Sequence, residues 1–364
     1  MLLLLALVLQ APIAPAPLAP ALETVAERQV FQRDARNGVE LRVEGSCLDG
    51  LAALHARVLR GTERVVVKEL ALRDQEGPRQ RFTGVVRVPA GGWYALELAA
   101  GADAASVLRV ERFGVGEVFV IAGQSNSSNY GEERTQSEDD RVSAFDGVSW
   151  SLARDPMPGV QDRSTGGSPW PRFGARLAKA LDLPVGLAST GFGGTSIRAW
   201  QKDHVFVTRD ERRLELFRGL ATRLDQLAGA RAILWHQGET DALGSMPAAE
   251  YVAYFTKLKD ALAAELDAPL PPIVVAHASY VPDLAPEKMQ PIRDAQAQLW
   301  KDGLALEGPD TDELRGESRH SKDRIHFSKR GLAEHADQWF DRVRALFFPP
   351  KPADGAAPNP NPPR

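Results

Sequence analysis

The chain has 364 residues, of which 43% are hydrophobic and 25% charged, an ordinary composition for a soluble globular protein whose length suits more than one core. The formal net charge is −4, so a nucleic-acid partner has no compositional support. Cys47 is the only cysteine, which excludes an intramolecular disulfide and a cysteine metal cluster.

The N-terminus opens on the apolar run Leu2 to Leu9, followed by small residues and prolines up to Ala21. The run is about half the length needed to span a bilayer, and with this tail it reads as a signal peptide over residues 1–21. The expected location is therefore secreted or periplasmic. No other stretch is long and apolar enough to span a membrane.

Residues 22–113 hold short runs in which apolar and polar residues alternate: Val39 to Val43, Leu54 to Leu59, Val65 to Val67, Phe82 to Val88 and Trp93 to Leu98. Gly and Pro separate them, and no stretch with helical period intervenes. The pattern predicts a small antiparallel β-sandwich of immunoglobulin-like or jelly-roll-like character. Cys47 falls at a strand end, as a half-buried, inert thiol.

The texture changes at Gly114, where residues 114–348 alternate strand with helix. Val118 to Ala122 is a continuous apolar run, as in a strand buried on both faces. Ser168 and Pro169 open a helix with Phe173, Leu177 and Leu181 at helical spacing, and Val185 to Ala188 is the next strand. A helix from Asp210 to Leu227 leads into the strand Ala232 to Trp235, and a helix from Ala248 to Leu266 leads into Ile273 to Ala276. Helical sequence recurs from Pro291 to Trp300, and a final helix runs from Ser328 to Phe347. This order predicts an α/β domain with a parallel sheet covered on both faces, whose ligands bind beyond the carboxyl ends of the strands. Residues 349–364, rich in Pro, Ala and Asn, read as a disordered tail.

Chemistry-bearing residues fall at those strand ends. Ser125 directly follows the first parallel strand, and Gly123 and Asn126 allow a tight turn that exposes its hydroxyl and presents its backbone N–H. The segment Gly123-Gln124-Ser125-Asn126-Ser127 is not the G-x-S-x-G elbow, and taken alone a serine here is more often a helix cap. A nucleophilic serine needs a base, and the base needs a group that fixes its tautomer. In Asp323-Arg324-Ile325-His326, an Asp three residues before a His reaches the ring within one turn, but His320 lies at the same spacing on the other side. Thr190 to Trp200 contains Gly191, Gly193 and Gly194, whose N–H groups can approach a ligand closely. At the end of the third strand, Gln237 has an amide that can donate to an oxyanion. If strand alternation turns it into the site, His236 is a packed structural histidine. Glu239 and Asp241 read as residues that position Gln237 or the Ser125 turn. No set of three convergent metal ligands stands out, and neither a metal nor another cofactor is expected.

Together, Gly123-Gln124-Ser125-Asn126, Gly193-Gly194-Thr195-Ser196, Gln237-Gly238-Glu239 and Asp323-x-x-His326 resemble the SGNH hydrolase superfamily and, within it, the sialate O-acetylesterase-like carbohydrate esterases. The likeness covers Gly114 to Phe347, and the β-rich region before it is similar to the family's accessory domain. It implies a three-layer α/β/α, flavodoxin-like domain with Ser125 as nucleophile, His326 as base and Asp323 as orienting acid. It implies an oxyanion hole of the Ser125 and Gly194 N–H groups with Gln237 as third donor, although the superfamily usually has Asn at that place. The expected substrate is an acetylated carbohydrate, either an O-acetyl sialic acid or acetylated xylan or another polysaccharide. Gln124, Asn126, Arg198, Trp200 and Glu239 are candidate substrate contacts, Trp200 by stacking on a sugar and Arg198 by holding a carboxylate, although a core aromatic and a salt bridge are the preferred readings of these last two residues. A carbohydrate-binding protein without catalysis is the alternative from another class.

Overall fold

The computed structural model describes residues 21–48, 51–74 and 79–349; the expected signal peptide up to Pro20 and the Pro-rich tail from Pro350 lie outside them. The chain divides into two compact units. One comprises residues 40–88 and 94–111 with the chain up to Ala26, the other residues 27–39, 89–93 and the chain from Arg112. The strands begin with β1 (Ala21–Leu22), β2 (Gln29–Gln32), β3 (Gly38–Leu48), β4 (Leu54–Arg60), β5 (Glu63–Asp74), β6 (Arg79–Pro89), β7 (Gly91–Ala99) and β8 (Ser106–Gly123).

In the first unit the expected runs all form strands, and the pairs β1 with β3, β4 with β5, β4 with β7 and β5 with β6 are antiparallel. Their buried residues include Leu41, Val43, Leu54, Val58, Phe82 and Leu96. Cys47 lies within β3 and is fully buried, not half-buried as expected. Burial pushes its thiol up, although Arg79 pulls the other way, so it stays protonated and inert at neutral pH.

The second unit is mixed α/β. Its further strands are β9 (Val142–Phe145), β10 (Trp150–Leu152), β11 (Val185–Ser189), β12 (Phe206–Val207), β13 (Arg213–Leu214), β14 (Ala232–His236), β15 (Ile273–His277) and β16 (Leu306–Asp310). Six strands run parallel in the order β9-β11-β8-β14-β15-β16, with β10 antiparallel to β9. The helices are α1 (Trp170–Leu181), α2 (Leu216–Gln226), α3 (Glu239–Leu243), α4 (Ala248–Glu265), α5 (Pro286–Lys301) and α6 (Lys329–Phe347).

Alternation along the end of β8 explains why Val118 to Ala122 is apolar throughout. Val118, Val120 and Ala122 enter a core with Leu220 of α2, Phe255 of α4 and Ile292 of α5. Phe119 and Ile121 enter a second core with Phe173 of α1 and Trp339 of α6. Helices thus cover both faces of the sheet, and each side chain from Val118 to Ala122 is removed from water.

The chain leaves β8 for β11 on one side and later returns to β14 on the other. This reversal opens a crevice at the carboxyl ends of β8, β11 and β14. One expected element differs. The helix predicted from Asp210 begins only at Leu216, because β12 and β13 form a small antiparallel hairpin before it. All five residues 209–213 are charged, Glu211 among them has φ +61°, and Thr208 closes the turn by accepting the Arg212 N–H on its hydroxyl. A charged stretch without an apolar stripe has no helical face to bury. Among the described residues no helix is long and apolar enough to cross a membrane.

Candidate active site

Ser125 is the first residue of a short 3-10 turn, Ser125–Ser127, and is 5% exposed. Gly123 makes the turn possible. Its φ is +124°, and a Cβ there would collide with the His236 carbonyl oxygen of the adjoining β14. The Gln124 N–H donates to that same carbonyl at 2.9 Å, and the Ser127 and Ser128 N–H groups donate to the Gln124 and Ser125 carbonyls. The backbone therefore swings off the strand with Ser125 at the crest.

His326 sits on the loop before α6. Its Nδ1 lies 2.8 Å from Asp323 Oδ2, while Asp323 Oδ1 accepts the backbone N–H groups of Ile325 and His326, both at 3.0 Å. Burial pushes the Asp323 carboxyl up, but the His326 ring and these N–H groups outweigh it and hold the acid below its ordinary value. With Nδ1 engaged, Nε2 is the ring nitrogen left for proton transfer. The other histidine at the same spacing, His320, accepts the Lys322 N–H on its Nδ1 instead. Tyr130 stacks on the His326 ring with centroids 4.8 Å apart, which restricts the ring plane. Burial, reinforced by Asp162, pushes the Tyr130 hydroxyl up to about 12, so it stays a donor at neutral pH.

Ser125 and His326 line one cleft of about 920 Å³, together with Gln124, Tyr130, Gly193, Gly194 and Glu239. Gly194 has φ +71° and open space around it. Asp162 accepts the Gly193 N–H at 2.8 Å and so fixes the loop before it. Among the described residues, the backbone N–H groups of Ser125 and Gly194 donate to no group of the chain.

Several expected site residues lie elsewhere. Gln237 is fully buried, and its amide donates to Gln124 Oε1, the Thr195 carbonyl and Asp241 Oδ2, which leaves no N–H for an oxyanion. The reason is local: β14 ends at His236, and Gly238 with φ +154° turns the chain, so Gln237 points beneath the site and His236 is buried as well. Trp200 is fully buried against Trp235 and donates to Thr195 Oγ1, so its ring has no face for a sugar. Arg198 is exposed, pairs with Glu250 and does not line the cleft. Gln124 lines the cleft, but its side-chain oxygen accepts N–H groups of Gln237, Gly238 and Thr240. Asn126 is buried and donates to Glu239 Oε1 at 2.9 Å and to the Ile325 carbonyl at 3.4 Å, so it joins the Ser125 turn to the His326 loop.

Further contributors to the cleft lie outside the sequence motifs. Tyr130, five residues after Ser125, and Asp162 come to the cleft from loops outside the motifs. Arg319, buried, donates to the carbonyls of Thr311, Leu314 and Ile325 and so clamps the loop that carries His326. Arg163, Arg209 and Arg212 line the outer cleft; Arg163 and Arg212 pair with Asp210, whereas Arg209 has no ion pair among the described residues. A scan for clusters of basic residues beside the hairpin would have found the last group.

Residues 115–343 match a family described as carbohydrate esterase, sialic acid-specific acetylesterase. No curated protein matches the chain. Among solved structures it is similar to a carbohydrate acetylesterase from Xanthomonas citri, at 18% identity and TM-score 0.57, over 90% of this chain and 75% of that one. It is also similar to a protein from Arabidopsis thaliana, at 19% identity and TM-score 0.51, over 64% of this chain and 98% of that one. At these identities the likeness is one of fold.

Proposed function

The chain belongs to the sialic acid-specific acetylesterase family of carbohydrate esterases, a family of carboxylic ester hydrolases, and from that premise we propose that it removes O-acetyl groups from a sialic acid through Ser125, His326 and Asp323. The observation that carries this reading is the shared cleft: a turn serine and a histidine whose Nδ1 is held by a carboxylate at 2.8 Å open into the same space. Ser125 Oγ attacks the acetyl carbonyl carbon while His326 Nε2 takes the hydroxyl proton. Asp323 keeps the ring in the tautomer that leaves Nε2 free and stabilises the imidazolium. The Ser125 and Gly194 N–H groups receive the developing oxyanion; each such donor typically contributes about 10²–10³ in turnover. The C–O bond to the sugar breaks as His326 returns the proton to the leaving hydroxyl, and water, activated by the same base, releases acetate from Ser125.

Gln237 has a supporting part in this scheme, beneath the Ser125 turn. The sialate preference is supported by Arg209, a cation without an ion pair among the described residues at the cleft wall, suited to the sugar carboxylate. The first unit is read as a β-sandwich accessory domain, and residues 1–21 as a signal peptide that exports the protein. N-terminal sequencing of the mature protein checks the second point.

The test is acetate release from O-acetyl sialic acid, acetylated xylan and a neutral aryl acetate. The highest kcat/KM on the sialic acid is expected. Preference for xylan overturns the sialate assignment, and binding of acetylated sugar without release of acetate overturns catalysis.

A further inference from the structure

Gly193 and Gly194 are glycines for different reasons. Gly194 has φ +71°, which favours glycine on backbone grounds, whereas Gly193 has no positive φ. What a side chain at Gly193 would meet is Tyr130. An ideal Cβ there would stand 2.2 Å from the Tyr130 hydroxyl oxygen, 2.5 Å from Cζ and 2.8 Å from Cε2. Such contacts are too short for carbon, so the edge of the Tyr130 ring fills the space that a side chain would need. The face of the same ring stacks on His326, with centroids 4.8 Å apart and planes 26° from parallel.

The backbone on both sides of Tyr130 is pinned. The Gly131 N–H donates to the Gly167 carbonyl at 2.9 Å and the Gly167 N–H to the Gly131 carbonyl at 2.8 Å. The Glu132 N–H donates at 3.0 Å to the carbonyl of Phe327, the residue after His326. On the other flank, the Asn129 N–H donates to Ser164 Oγ at 3.2 Å, and the Ser164 hydroxyl donates to Asp162 Oδ1. Asp162 Oδ2 in turn accepts the Gly193 N–H at 2.8 Å. Gly193 is therefore held by Asp162 and stopped by Tyr130, and these two are tied to each other through Asn129 and Ser164.

We propose that Tyr130 is a positioning residue, a rigid spacer whose ring sets the distance between His326 and the loop at Gly193 and Gly194. The inference rests on the reading of His326 as base and of the Gly194 N–H as an oxyanion donor. In that reaction a proton leaves Ser125 toward His326 while negative charge grows toward Gly194, so base and donor must keep a fixed separation. They come from distant parts of the chain, and no hydrogen bond joins them directly among the described residues. A misplacement of about 1 Å in such a site can cost about 10²-fold in rate. A flat ring wedged between them resists that drift, since it has no internal torsion to give way. The ring carries this role, and the hydroxyl is not needed for it.

The test is steady-state kinetics of the full chain on a neutral aryl acetate, with urea unfolding as the check on folding. Tyr130→Leu lacks Cζ, Cε2 and the hydroxyl, and is expected to lower kcat by about 10–10²-fold with KM nearly unchanged. Tyr130→Phe keeps the ring and is expected to recover most of that loss. Gly193→Ala is expected to lower kcat by about 10-fold or more alone, but by no more than about twofold in the Tyr130→Leu background, where its Cβ meets no ring. Equal losses in Tyr130→Phe and Tyr130→Leu overturn the spacer in favour of the hydroxyl. A raised KM with unchanged kcat in Tyr130→Leu, or additive losses in the double variant, overturns it as well. Natural kcat in His326→Gln overturns the base reading and the spacer with it, whereas an inactive His326→Gln beside natural kcat in Tyr130→Leu overturns the spacer alone. If Tyr130→Leu does not fold, Gly193→Ala decides, and natural kcat there overturns the proposal.

Discussion

Asp323 grips His326 at two points: its Oδ2 meets ring Nδ1 at 2.8 Å, and its Oδ1 accepts the backbone N–H of the same residue at 3.0 Å. One carboxylate thus sets both where the imidazole sits and which nitrogen it presents. Asp323→Asn places an amide N–H among groups that are already donors and disturbs the tautomer. A fall in kcat of roughly 10²–10⁴ is expected, with KM for the acetyl ester changed far less. Steady-state kinetics at pH 7 and above check this; equal loss in His320→Gln would instead point to the other histidine.

Gly123 and Gly194 differ in what they tolerate. Both have positive φ, but a Cβ at Gly123 meets the His236 carbonyl, whereas one at Gly194 meets nothing within 4 Å. Gly194→Ala is expected to fold with a loss of about 1 kcal/mol, the cost of a left-handed alanine, and to retain part of its activity because the N–H remains. Gly123→Ala should displace the Ser125 turn and abolish activity. Urea unfolding and acetate release on both variants separate the two effects.

Asp241 gives the fold a pH dependence. Burial, with a contribution from Glu239, pushes its carboxyl up to about 6 despite hydrogen bonds from Gln237 and the Ile197 N–H. An acid raised in the fold contributes stability that is fully present below its unfolded value, near about 3.9, and is lost as pH rises through about 6. Asp241→Asn lacks this titration, so its stability deficit against the natural protein should shrink between pH 4 and pH 7. Urea midpoints across that range check the slope, and a deficit that grows with pH contradicts the assignment.

Arg209 tests the substrate charge. Arg209→Gln is expected to raise KM for O-acetyl sialic acid several-fold, more at low salt than at high salt, and to leave a neutral aryl acetate unaffected. Equal effects on both substrates would remove the carboxylate from the argument.

Much of the second unit was legible because its signals are local. The continuous apolar run of β8, the glycines at the ends of β8 and β11, and the Asp-x-x-His spacing each need only a few neighbouring residues to be read. The errors arise where the chain departs from a repeating pattern. Strand alternation turned Gln237 into the site, but β14 stops at His236 and Gly238 turns the backbone, so Gln237 is buried, while His236 is the packed histidine that was expected. For Trp200 the sequence left two readings open, and the core aromatic holds over the sugar contact because a 3-10 turn drives the ring against Trp235. The contacts of Tyr130 with His326 and of Asn126 with Ile325 join segments nearly two hundred residues apart, which no local pattern encodes.

Replacement of Ser125 tests the central claim most directly. Acetate release by Ser125→Ala should fall by about 10³ or more against the natural protein on the same acetyl ester, with urea stability unchanged. Incubation of the natural protein with an activated acetyl ester, quenched in acid, should leave one acetyl group on the peptide that contains Ser125. Undiminished turnover in Ser125→Ala would contradict the assignment of this serine as the nucleophile.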